Sequence, residues 1–165
     1  GRSAEALSTF VQAGLTALES FKHSSGGMSL WPGARNPAPV ATAYAMEAAA
    51  LAGQQPSEDT VRFLRRFLDG NWMQQGWSEE TRRSAQARVA LHLARVGRGE
   101  PGYNANLYQH RQSLSLTAQA ELAEAIALTS GRNARLTPHR ASIDMAAAIS
   151  ARDTRSLASA RASAA

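Results

Sequence analysis

Residues 40–52 read VATAYAMEAAALA, and apart from Thr42 and Glu47 every side chain in the run is apolar or aromatic. Val40, Tyr44, Ala48 and Leu51 share one helical face, while Ala41, Ala45, Ala49 and Ala52 share another. A helix that is small and apolar nearly all round has little surface to offer water, so neighbours have to enclose it. Two later stretches repeat the plan. Three apolar helices look alike, running from Ala41-Thr42-Ala43 to Gly53, from Ala85-Gln86-Ala87 to Gly97 and from Ala118-Gln119-Ala120 to Gly131, each closed by its glycine. The intervals between the closing glycines are unequal, but each is long enough for one helical hairpin, which is the mark of stacked hairpins.

One-sided helices are expected between these apolar ones. Residues 4–22 place Leu7, Phe10, Val11, Leu18 and Phe21 on a single stripe that should be buried. Ser57 is a good N-cap, and Glu58 and Asp59 suit the positive first turn of the helix it opens. That helix runs to about residue 69, with Val61, Leu64 and Leu68 inward and Arg62, Arg65 and Arg66 outward. Ser78 caps a helix over 79–96, richest in apolar residues in its second half. After a Pro101-Gly102 turn, a short helix over 103–112 is anchored by Leu107 and Tyr108, and another spans 115–129. Pro138 opens a last helix through Ile149. The alternation predicts an all-α fold of helical hairpins, an inner layer wrapped by an outer one, in a partial α/α-toroid-like arrangement. Residues 1–150 form that domain, and the Ala/Ser/Arg-rich residues 151–165 are read as a frayed or disordered tail. Tetratricopeptide stacking fits less well, because the spacing varies.

The first hairpin turns at Ser24-Ser25-Gly26-Gly27-Met28-Ser29-Leu30-Trp31-Pro32-Gly33. Paired glycines end the preceding helix, and Pro32 holds Trp31 extended. The indole is expected to be pinned against the body as a plug for the corner, with Trp72 and Trp77 plugging a later one.

Chemistry is sparse. The chain has no cysteine, which excludes disulfides, thiolate metal sites and a cysteine nucleophile within these residues. The net charge is +5, yet the arginines are interleaved with glutamates, as on a solvated surface. The basic tail (Arg132, Arg135, Arg140, Arg152, Arg155, Arg161) carries no interleaved aromatics for stacking on bases, so no nucleic-acid partner is expected. No run approaches the length of a membrane span. His23, His92, His110 and His139 show no helical pairing with one another or with a facing carboxylate, and His92 lies between Arg88 and Arg95, so no metal site is assigned. Glu47, Glu121 and Glu124 sit on mostly apolar helices and are the candidates for acid–base chemistry in a toroid enzyme acting on a glycan or terpenoid. Their expected role is instead to pair with arginines or to lie exposed at the rim. No nucleophile elbow or phosphate loop is present, and no catalytic, cofactor-binding or metal residue is assigned.

Gly26-Gly27-Met28-Ser29-Leu30-Trp31-Pro32-Gly33, followed by Ala41-Thr42-Ala43-Tyr44-Ala45, resembles the Gly-Gly-x-x-x-Trp-Pro-Gly … Thr-Ala-Tyr-Ala segment of bacterial alpha-2-macroglobulins. Ala90-Leu91-His92-Leu93-Ala94-Arg95-Val96-Gly97-Arg98 is similar to a helix end of that family, and the stretch from Leu114 to Leu122 is similar to its next helix. The resemblance implies part of a thioester domain, an α/α toroid, in a periplasmic or envelope protein that traps proteases. The implied partners are the trapped proteases, the other domains of a longer chain and a penicillin-binding protein. The family's reactive Cys-x-Glu-Gln lies upstream of the corner and has no counterpart here. Either the chain starts downstream of it or it comes from a branch without thioester chemistry. On this reading the segment is a non-catalytic part of an inhibitor; the alternatives are the toroid enzyme and a helical scaffold for protein partners.

Overall fold

The computed structural model describes residues 4–71 and 76–133, and in them the regular structure is helical apart from one isolated antiparallel bridge between Lys22 and Met28. Six α-helices follow in order: α1 (Ala4–Glu19), α2 (Pro39–Leu51), α3 (Glu58–Leu68), α4 (Glu79–Arg95), α5 (Pro101–Gln109) and α6 (Leu116–Asn133). Trp72, His139, the expected helix over 138–149 and the division at residue 150 fall outside the described residues.

The helix starts follow local chemistry. α2 opens on Pro39, whose fixed φ and missing N–H suit a first helical position. The Ser57 hydroxyl accepts from Thr60 N–H at 3.2 Å, and the Ser78 hydroxyl accepts from Thr81 N–H at 3.1 Å. Pro101-Gly102 is a correction: rather than a free turn, it is the first turn of α5, again with proline at the helix start. Gly131 is another, because α6 runs through it to Asn133; one glycine weakens a helix without ending it.

The principal packed pairs are α4 with α6 and with α2, α3 with α2 and α4, and α5 with α4 and α6. The three alanine-rich helices therefore lie side by side with α4 in the middle, and α3 and α5 bridge the two seams. Two clusters form the core. Ala43, Met46, Val61, Phe63, Leu64, Phe67, Val89 and Leu93 join α2, α3 and α4. Ala87, Ala90, Leu91, Ala94, Leu107, Leu114, Ala118, Leu122 and Ala125 join α4, α5 and α6. Fully buried alanines at the α4–α6 seam let the two backbones approach closely, which larger side chains would prevent.

Two expectations about burial fail. Among the described helices no principal packed pair includes α1, and the first part of its stripe lies open: Phe10 is 72% exposed and Leu7 and Val11 are also exposed, while Leu18 and Phe21 are half-buried. Nor is α2 enclosed. Thr42, Ala43 and Met46 are buried, but Tyr44 and Leu51 are exposed, Leu51 by 84%. The cause is common to both. α2 has neighbours on its α3 and α4 sides, and α1 does not pack along the remaining side.

Candidate functional site

The corner after α1 is held by backbone and by glycine, and Trp31 is not its plug. His23 N–H donates to Gly27 O at 2.9 Å, Ser29 N–H to Phe21 O at 2.8 Å, and Ala38 N–H to Met28 O at 2.7 Å. Gly26 has φ +91°, and a Cβ there would collide with the Asp59 carbonyl at the start of α3. A Cβ on Gly27 would lie 2.7 Å from Pro37 Cβ and 2.8 Å from Phe63 Cε1. The Thr60 hydroxyl donates to Gly26 O at 3.0 Å, so the corner is pressed onto α3 by bonds that need bare backbone. Trp31 is 63% exposed and Leu30 is exposed beside it, which corrects the expected indole keystone. Trp77 does plug a corner: it is half-buried and meets Phe67 edge-on, with centroids 6.2 Å apart. His23 serves its own turn, its Nδ1 accepting from Ser25 N–H at 3.1 Å.

The middle residues of the three repeated openings, Thr42, Gln86 and Gln119, are buried polar side chains with one shared task. The Thr42 hydroxyl accepts from Met28 N–H at 2.7 Å and donates to Ala38 O at 2.8 Å. Gln86 Nε2 donates to Phe67 O at 3.0 Å and to Leu68 O at 3.1 Å, reaching carbonyls at the end of α3, of which Phe67 O also accepts from Gly70 N–H. Gln119 Nε2 donates to Leu114 O at 3.0 Å. Each alanine-rich helix is thus pinned to the segment that precedes it, α2 and α6 near their starts through Thr42 and Gln119 and α4 at its middle through Gln86. The repeat is visible in the sequence; the pinning role was missed, although an isolated polar residue in an apolar helix is the signal for it.

Along α4, Arg88, His92 and Arg95 at i, i+4 and i+7 form one face, distinct from the Val89 and Leu93 face turned to α3. The three glutamates singled out in the sequence meet that face. Arg88 Nε donates to Glu121 Oε1 at 2.7 Å. Arg95 binds Glu124 through Nε at 3.0 Å and Nη2 at 2.9 Å, and reaches Glu47 Oε1 with Nη1 at 3.4 Å. His92, 2% exposed, bonds through Nδ1 to Glu47 Oε2; a carboxylate there accepts, so Nδ1 carries the hydrogen. The Tyr44 ring covers the imidazole at a centroid distance of 4.2 Å. The result is a polar ladder across α2, α4 and α6. Glu121 and Glu124 hold the Arg88 and Arg95 guanidiniums above their already high usual range through these bonds.

Of the two roles expected for these carboxylates, arginine pairing and rim exposure, the structure shows the pairing. It missed the Glu47–His92 contact because the partners lie on different helices and no local spacing encodes them. The single polar interruptions at Glu47 and His92 in apolar runs were the available clue. For chemistry, each of the three carboxylates is engaged by a cation or an imidazole, and they are spread along the ladder instead of converging on one cavity. Among the described residues no three histidine, aspartate or glutamate side chains gather in a metal-binding arrangement.

A cleft of about 380 Å³ lies on the α3–α5 side, lined by Leu68, Asp69, Glu100, Gly102, Tyr103, Asn106 and Leu107. Its charged groups are also engaged, since Arg65 pairs with Glu100. Burial, and then a hydrogen bond to the Asp69 carboxylate, push the Tyr103 phenol up to about 12.

No protein-family model matches the chain, and no curated protein sequence does. Solved structures do. The crystal structure of native Escherichia coli alpha-2-macroglobulin from domain MG7 to the C-terminus matches with a TM-score of 0.74 and 22% identity, over 90% of this chain and 24% of that one. The cryo-EM structure of the native E. coli protein matches with a TM-score of 0.73 and 22% identity, over 90% of this chain and 10% of that one. Salmonella alpha-2-macroglobulin reacted with methylamine matches with a TM-score of 0.71 and 24% identity, over 88% of this chain and 10% of that one. The chain spans about a quarter of the first and a tenth of the others. Taken with the hairpin order, the glycine corner and the three pinned helices, these likenesses give the chain the fold of a helical segment of bacterial alpha-2-macroglobulins.

Proposed function

We propose that this chain is a structural, non-catalytic part of an alpha-2-macroglobulin-like protease trap, corresponding to a portion of its toroidal thioester domain. The observation that carries the reading is the fold likeness over 90% of the chain to bacterial alpha-2-macroglobulins. The glycine corner and two further helix motifs support it by falling in that family's order. The described side chains are consistent with a supporting role: Gln86 and the ladder join helices, and Glu47, Glu121 and Glu124 do not converge.

On this reading the partners are the proteases the parent protein captures, the other domains of that longer chain and a penicillin-binding protein at the cell envelope. The location is the periplasm or envelope; none of the described helices is long and apolar enough to cross a membrane. Covalent capture through a thioester would draw its thiol from outside these 165 residues, which contain no cysteine. The test uses the protein encoded by the complete open reading frame. Incubated with a protease, it is expected to block digestion of a large protein substrate while sparing hydrolysis of a small chromogenic peptide, because a trap excludes by size. Equal inhibition of both substrates, inhibition of neither, or an open reading frame without macroglobulin-like domains would overturn the proposal.

A further inference from the structure

We draw no further inference here: the strongest candidate, the apolar stripe of Leu7, Phe10 and Val11 left open along α1, carries none because nothing in the structure shows what covers it.

Discussion

Replacing Gln86 with leucine keeps the side chain's bulk and removes both bonds from Nε2. Phe67 O retains the Gly70 N–H at 3.1 Å, whereas Leu68 O, at the last residue of α3, loses the donor that Gln86 supplies. One shared bond and one half-buried carbonyl left without its donor together correspond to about 2 kcal/mol. For a chain of this length that lowers the melting temperature by roughly 4–8 °C. Urea unfolding followed by far-UV circular dichroism gives the free energy, and tryptophan fluorescence reports locally because Trp77 packs on Phe67. Gln119→Leu removes a single bond, to Leu114 O, and is expected to cost about half as much. Gln86→Glu is the sharper control, because a carboxylate facing two carbonyls cannot donate to either; it should be the least stable of the three. A Gln86→Leu protein within about 0.5 kcal/mol of the parent would refute the pinning argument.

At the glycine corner, Gly27→Ala drives a methyl into Pro37 and Phe63 and is expected to cost at least about 2 kcal/mol by urea denaturation. A change below ~0.5 kcal/mol would contradict that packing. Trp31→Ala should leave stability within about 0.5 kcal/mol of the parent, while Trp77→Ala should lose about 2 kcal/mol. The reverse order would restore the indole keystone. In the ladder, Glu47→Ala strips the buried His92 N–H of its acceptor and is expected to cost about 2 kcal/mol, against less than about 1 kcal/mol for the more exposed Glu124→Ala. Equal losses would show that burial of the histidine does not matter. The Tyr103 phenol should titrate late, at about 12 in the folded chain against about 10 unfolded. The folded state holds this proton more tightly, so its contribution is fully present below pH ~10 and is lost as the pH rises towards ~12. Tyr103→Phe should abolish that slope in alkaline denaturation, and an unchanged slope would assign it to another group.

Local chemistry made much of the fold legible. Ser57 and Ser78 announce the starts of α3 and α4, and alanine repeats closed by glycine delimit α2 and α4. Which helix touches which is not a local property, and there the reading weakened. The stripe of α1 has the same period as that of α3, yet Val61 and Leu64 are buried and Phe10 is not, because periodicity tells which face is apolar and not whether anything arrives to cover it. Trp31 failed for a related reason. The hydrophobicity of an indole predicts burial on average, but the corner closes through Gly26, Gly27 and backbone bonds that leave the tip free. In the candidate site the pairing of Glu121 and Glu124 with arginines followed from charge alone. The Glu47–His92 contact required knowing that α2 and α4 lie side by side.

The claim beneath all of this is that α4 is the buried centre of a row formed with α2 and α6, bridged by α3 and α5. Native-state hydrogen exchange, resolved by peptide, measures that directly. The account predicts that amides in the second half of α4 exchange slowest in the chain, near the limit set by global unfolding, and that those of α1 exchange fastest among the helices. Protection of α1 equal to that of α4, or rapid exchange through residues 87–94, would contradict it.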